Sequence, residues 1–127
     1  MKVKTKYKVI DYITPKEVCE VIGISPTSTP LITRWMNQGK IKNVYLFGKN
    51  KAIPVSWVKS ECNERGINWE GIKLEDGEVG VSLEDYVPIK EYCEKNGLVY
   101  MNLNNQISRG YYKDEFIRFA NTYGLPK

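Results

Sequence analysis

The chain has 127 residues, of which 42% are hydrophobic and 27% charged, a size and composition that suit one compact unit or two small modules sharing a core. It contains no histidine, which excludes Ser-His-Asp and Cys-His nucleophile pairs and every zinc site that uses histidine, and no apolar run approaches the roughly 18 residues of a membrane span. Residues 1–66 contain 12 basic and five acidic residues, and residues 67–127 contain seven basic and ten acidic ones, so the net charge of +4 divides into +7 and −3 and favours polyanion binding by the first half.

The N-terminal ten residues are basic but have no apolar core region and no small-residue cleavage site, so they do not predict a secretory signal. We therefore expect a cytoplasmic protein. The alternating residues Lys2, Lys4, Lys6 and Lys8 either form a basic arm that contacts a polyanion or only a solubilising tail, and the sequence favours neither.

The first predicted elements are two short helices joined by a tight turn. Thr14 can cap the first helix, with Glu17 completing a capping box, and Gly23 is expected to end it. Thr29 can cap a second helix that ends at Gly39. Helical spacing turns three apolar side chains of this second helix inward, namely Ile32, Trp35 and Met36. Its outward face then consists of Thr33, Arg34, Asn37 and Gln38.

A hairpin, a third helix and a linker are predicted next. Short strands over residues 44–47 and 51–55 flank a Gly-Lys-Asn turn, which predicts a hairpin with basic residues at its tip. The third helix is expected over residues 56–65. Residues 67–82 are rich in glycine and acidic residues, which predicts a linker whose carboxylates are solvated rather than bound to a metal.

An internal repeat relates the two halves at an offset of 74 residues. Residues 12–20 align with residues 86–94 and share tyrosine, lysine, cysteine and two glutamates, and a glycine followed by an aliphatic residue comes soon after each. Cys19 and Cys93 occupy matching inward positions, so we expect small buried side chains rather than reactive thiols. Cys62 makes the number of cysteines odd, which argues against a closed disulfide framework.

The second copy is predicted to be helical throughout. Ser82 and Asp85 form a candidate capping box, and Leu103 and Ile107 turn inward on the second helix of this copy. No hairpin is predicted after it. Asp114 is instead expected to cap a further helix, whose apolar face is formed by Phe116, Phe119, Ala120 and Tyr123.

Residues 12–58 carry short motifs in a characteristic order, namely Tyr12-Ile13-Thr14-Pro15-Lys16-Glu17-Val18, Gly23-Ile24-Ser25, Arg34-Trp35-Met36, Gly39-Lys40-Ile41 and Ile53-Pro54. In this order they resemble the winged helix-turn-helix module of excisionases and MerR-like regulators, although the turn after Ser25 is longer than is usual there. The resemblance implies a mainly α fold with a small β-hairpin wing, built from tandem winged helix-turn-helix-like repeats. We expect a DNA-binding module over residues 1–66, an acidic linker over 67–82 and a degenerate, wingless module over 83–127.

The resemblance also implies that the second helix enters a DNA major groove while the hairpin tip contacts the phosphate backbone or the minor groove. Arg34 could pair with guanine, Asn37 or Gln38 with adenine, and Thr33 could touch a thymine methyl group. Four lysines would neutralise phosphates, which predicts a slope of about −3.6 in log K against log salt. The full set of predicted DNA-binding residues is Ser28, Thr29, Thr33, Arg34, Asn37, Gln38, Lys40, Lys42, Lys49, Asn50 and Lys51. Alternatively Arg34 packs beside Trp35, which we expect in the core rather than stacked on a base.

The second copy offers an outward face rich in amides. A second DNA-binding or partner surface is predicted at Asn102, Asn104, Asn105 and Arg109. Its acidic surroundings favour packing or protein contact, a homodimer included, over DNA.

Taken together, the sequence predicts a duplex DNA binder that acts as a small regulator or an excisionase-like factor of a mobile genetic element. No nucleophile, base and orienting group can be assembled, so we expect neither an enzyme nor a cofactor. The alternative is an accessory protein of replication or recombination that binds single strands or a partner enzyme. Its candidate stacking or docking residues are Tyr45, Phe47, Tyr100, Tyr111 and Tyr112.

Overall fold

The computed structural model describes residues 5–127, so Lys2 and Lys4 of the predicted basic arm lie outside the described residues. In chain order, its elements are strand β1 (Tyr7–Val9), strand β2 (Tyr12–Ile13), helix α1 (Pro15–Ile22), helix α2 (Thr29–Asn37), strand β3 (Tyr45–Phe47), strand β4 (Asn50–Pro54), helix α3 (Val55–Glu64), strand β5 (Val79–Val81), strand β6 (Tyr86–Pro88), helix α4 (Ile89–Asn96), helix α5 (Tyr100–Ser108), strand β7 (Ile117–Phe119) and strand β8 (Thr122–Pro126). Within residues 5–127, no helix is both long and apolar enough to cross a membrane.

The protein is a mixed α/β protein, and the prediction of a mainly α fold with tandem winged helix-turn-helix-like repeats is wrong. Helices account for 41% and strands for 22% of the structure, and the strands form three small sheets. The strand content was underestimated because every strand is only two to five residues long. Such short segments show little of the alternating pattern by which strands are found in a sequence.

The chain forms two compact units. One consists of residues 10–73, and the other combines the described residues before Ile10 with residues 74–127. The predicted ranges differ from these units at two points. The predicted first module includes residues 5–9, which belong with the second unit, and the predicted linker over 67–82 is divided between the two units.

The unit of residues 10–73 packs three helices on a small antiparallel sheet of order β2-β4-β3. Thr14 caps α1 as predicted, in a complete capping box with Glu17, and Gly23 ends α1 with a left-handed φ of 80°. The core takes buried side chains from β2, β4, the three helices and the loop after α2, namely Ile13, Val18, Cys19, Ile22, Ile32, Ile41, Ile53, Val55, Val58 and Cys62. Ile67, Trp69 and Ile72 pack against this core, so the first part of the predicted linker belongs to the packed unit.

The other unit contains two sheets. Strand β1 pairs in parallel with β5, while β6, β8 and β7 form an antiparallel sheet in that order. The second part of the predicted linker is therefore partly strand. One cluster of buried residues in this unit consists of Ile89, Cys93, Leu103, Ile107, Phe116 and Leu125.

The two units share a strand-helix-helix-strand-strand order, and their three-stranded sheets have the same arrangement. The likeness extends to single hydrogen bonds. In one unit the backbone N–H of Val55 donates to the backbone carbonyl of Asp11 at 2.9 Å. In the other, the backbone N–H of Lys127 donates to the backbone carbonyl of Asp85 at 3.0 Å.

A hairpin completes the second copy, where the sequence predicted a helix beginning at Asp114 and no wing. Strands β7 and β8 pair across the turn Ala120-Asn121, just as β3 and β4 pair across Gly48-Lys49. Phe116, Phe119 and Tyr123 are spaced as on a helix, which explains the wrong prediction. The turn also lacks a glycine signal, because Ala120 adopts the positive φ of 55° that Gly48 supplies in the first hairpin, at 63°.

Candidate nucleic-acid interface

Helix α2 begins directly after a short 3-10 segment, Pro26–Ser28, that lengthens the connection from α1. Ser25 caps this segment by accepting a hydrogen bond from the backbone N–H of Thr27. The helix itself starts at Thr29, so Ser28 rather than Thr29 is its N-cap residue, and no side chain caps it. Ser28 and Thr29, both predicted to contact DNA, are half-buried.

The outward face of α2 carries a stripe of exposed residues, Pro30, Arg34 and Asn37, spaced four and three residues apart. Ile32 on the opposite side is fully buried, as predicted. Thr33 flanks the stripe but is half-buried, and its hydroxyl donates to the carbonyl of Thr29 at 3.4 Å. The polar group of Thr33 is thus used within the helix, which leaves its methyl group as the part available to a ligand.

The predicted phosphate-binding residues outside α2 differ in exposure. Lys42, in the loop after α2, and Lys49, at the tip of the hairpin, are exposed. Asn50 and Lys51 begin strand β4 and are half-buried. Gln38, which follows the last residue of α2, is exposed.

Residues 21–60, which include α2 and the hairpin, contain six basic residues and no acidic one. The net charges of the two units do not by themselves show this concentration of basic residues. Residues 10–73 contain nine basic and six acidic residues, which gives a net charge of +3. Residues 5–9 and 74–127 together contain eight basic and nine acidic residues, which gives a net charge of −1. The positive potential of the protein is therefore expected to be strongest along the segment that carries α2 and the hairpin.

Lys40, which is predicted to contact phosphate, also has partners inside the protein. Its Nζ lies 3.8 Å from Oε1 of Glu61 and 4.2 Å from the centre of the Trp35 ring. Arg65 approaches the same carboxylate oxygen at 3.5 Å through Nε and lies 5.7 Å from the same ring. We refer to Trp35, Lys40, Glu61 and Arg65 as the Glu61 cluster.

Trp35 packs against the core of its unit, as predicted, and is half-buried. Its ring lies 6.3 Å from that of Trp57 on α3, at a tilt of 50°. The sequence did not suggest that Trp57 and Glu61 belong to this part of the molecule. Their spacing places them on the same side of α3, but nothing local connects them to residues about 20 positions earlier in the chain.

Helix α5 carries the predicted second surface. Asn102, Asn105 and Arg109 are exposed and Asn104 is half-buried. Beside them lie three exposed apolar side chains, Leu98, Val99 and Met101. A shallow groove of about 340 Å³ is lined by Gly97, Leu98, Val99, Asn102, Leu103 and Gln106. This face is therefore more apolar than the face of α2.

Among residues 5–127, no group of three or more Cys, Asp or Glu side chains is arranged to hold a metal ion. The prediction that the cysteines are buried is confirmed for Cys19, Cys62 and Cys93, which form no disulfide. Burial raises the pKa of each thiol.

Comparison with protein-family models, with curated proteins and with solved structures finds no match for this chain.

Proposed function

We propose that this protein binds double-stranded DNA through the exposed face of α2 and the β3–β4 hairpin. Its biological role would be that of a small cytoplasmic regulator or an excisionase-like factor of a mobile genetic element. The resemblance of residues 12–58 to the winged helix-turn-helix module supports this proposal.

The observation that carries the proposal is the combination of charge and exposure on α2 and the hairpin. Residues 21–60 carry no carboxylate that would repel a phosphate backbone, and Arg34 and Asn37 point outward from one helix face. A helix of this kind fits the DNA major groove, where hydrogen-bonding side chains can read base edges.

The side chains proposed to contact DNA have chemistry that suits this role. The guanidinium of Arg34 can donate two hydrogen bonds to guanine, and the amide of Asn37 can pair with adenine. Lys42, Lys49 and Lys51 would neutralise phosphates. Because Lys40 is held in the Glu61 cluster, three such contacts remain, and the expected slope of log K against log salt is about −2.7.

A duplex binding assay with Arg34→Ala tests the proposal. Loss of a bidentate contact to a base should lower duplex affinity about tenfold or more, as measured by fluorescence anisotropy across a salt series. Arg118→Ala is the control, because it removes an arginine from strand β7 in the other unit, outside both predicted surfaces. An equal loss in both variants, or no duplex binding by the unsubstituted protein, would contradict the proposal.

The second candidate function is an accessory role that uses single-stranded DNA or a partner enzyme. The exposed apolar residues Leu98, Val99 and Met101 and the largely exposed Tyr111 favour it, since such side chains dock proteins or stack on bases. The same assay with a single strand of identical sequence separates the two candidates. Tighter binding of the single strand would favour the second.

A further inference from the structure

The Glu61 cluster places a nearly buried carboxylate beneath two cations. Glu61 is 7% exposed, whereas the side chains of Lys40 and Arg65 are 44% and 35% exposed. Both cations approach the same oxygen, Oε1, and both lie against the ring of Trp35. The carboxylate therefore lies on the protein side of the cluster, and the positive groups lie on the solvent side.

The backbone at Lys40 is held independently of its side chain. Its N–H donates to the carbonyl of Trp35 at 2.9 Å, and its carbonyl accepts a hydrogen bond from Nε1 of Trp57 at 3.0 Å. These two contacts fix the turn after α2. The ammonium group can consequently change partners without a change in the fold around it.

The burial of Glu61 determines which partner the cations keep. Lys40 lies three residues after the end of α2 and belongs to the acid-free segment, so a bound duplex would attract it. If Lys40 and Arg65 both turned to phosphates, however, Glu61 would remain as a buried charge without a counter-ion, which is strongly unfavourable. The cluster therefore favours retention of the cations over their release to DNA.

We propose that Glu61 withholds Lys40 and Arg65 from the phosphate backbone and so limits the sequence-independent part of DNA affinity. This inference rests on the proposed duplex binding. It makes Glu61 a residue that weakens binding to every duplex, and thereby raises the share of affinity that Arg34 and Asn37 can contribute through bases.

Glu61→Gln tests the inference, because it removes the charge while keeping the shape of the side chain. Release of one or two cations should steepen the slope of log K against log salt from about −2.7 to between about −3.6 and −4.5. Glu64→Gln is the matched control, since it removes the same charge from an exposed position on the same helix. A slope for Glu61→Gln equal to that of Glu64→Gln would overturn the inference, with thermal melting used to confirm that each variant is folded.

Lys40→Gln provides an independent check. As a single substitution it should leave the slope of log K against log salt unchanged. In the Glu61→Gln background it should make that slope less steep by about 0.9. A reduction of the same size in both backgrounds would show that Lys40 already contacts phosphate and would overturn the inference.

The salt concentration at elution from heparin separates this inference from the proposed function. Heparin is a polyanion without bases, so the measurement does not depend on duplex recognition. Later elution of Glu61→Gln than of Glu64→Gln supports the inference even if the unsubstituted protein fails to bind duplex DNA, and equal elution overturns it.

Discussion

Tyr86 is a buried phenol whose hydroxyl donates a hydrogen bond to the carboxylate of Glu115. Burial raises the pKa of Tyr86, and the hydrogen bond and the negative charge of Glu115 raise it further. The unfolded chain, with a tyrosine pKa of about 10, loses this proton before the folded protein does. The contribution of Tyr86 to stability is therefore complete below about pH 10 and declines as the pH rises above it.

Tyr86→Phe is accordingly expected to lower the free energy of unfolding at pH 7 by about 1.5 kcal/mol, because Glu115 loses a charge-assisted hydrogen bond. Urea unfolding measured from pH 7 to 11 should show the difference from the unsubstituted protein shrinking above about pH 10. Tyr111→Phe, at a largely exposed position, is the control and should have little effect. A difference that stays constant over the whole range would contradict this assignment.

The sequence predicted the exposure of single residues where helical spacing determines it. Arg34 and Asn37 are outward and Ile32 is inward because they lie on opposite sides of one short helix. The environment of Lys40 could not be predicted in this way. Its partner Glu61 lies on α3, and only the packing of α3 beside the end of α2 brings the two charges together.

Among the elements, the two hairpin turns differ in a way that can be measured. Gly48 and Ala120 occupy the same turn position with φ values of 63° and 55°. Glycine adopts this conformation freely, whereas a residue with Cβ is strained there by about 1 kcal/mol. Ala120→Gly should therefore raise the free energy of unfolding by up to about 1 kcal/mol, and Gly48→Ala should lower it by about the same amount.

Chemical denaturation of both variants checks this pair of predictions, with the m-value used to confirm that the transition itself is unchanged. The opposite signs provide the control, since each variant exchanges the same two residue types. Destabilisation by Ala120→Gly would show that the entropy lost by glycine exceeds the strain of alanine at this turn.

The same turn shows why some elements were predicted and others were not. Helix α1 was found because Thr14, Glu17 and Gly23 are local signals for its two ends. The β7–β8 hairpin was missed because alanine at a positive φ gives no such signal, while the apolar spacing around it matches a helix equally well.

For the whole molecule, the two halves of the sequence do not coincide with the two units, so the charge of each half differs from the charge of each unit. The sequence assigned +7 to its first half, but Lys6 and Lys8 lie in the unit formed mainly by residues 74–127, where Lys8 is 3.9 Å from Glu78. A boundary of this kind cannot be found from composition, because it depends on the pairing of β1 with β5, strands that are 72 residues apart in register. What remains in residues 10–73 is a smaller net charge concentrated around α2 and the hairpin.

This distribution predicts that only one of the two similar units binds a duplex. Lys42 and Lys113 occupy equivalent places, since each lies three residues after the glycine that follows α2 or α5, Gly39 or Gly110, and both are exposed. Lys42→Glu should lower duplex affinity about tenfold or more and flatten the salt slope by about 0.9, since a phosphate contact is replaced by repulsion. Lys113→Glu changes the net charge equally and should alter the affinity less than threefold at 0.1 M salt, because salt screens a charge that makes no direct phosphate contact.

Anisotropy titrations of the two variants at several salt concentrations make the comparison, and melting curves confirm that both are folded. Equal losses would mean that the duplex responds only to net charge or contacts both units. In either case, binding could not be assigned to α2 and the β3–β4 hairpin alone. A loss confined to Lys42→Glu would instead locate the contact on residues 10–73, because the two variants differ only in the unit that carries the reversed charge.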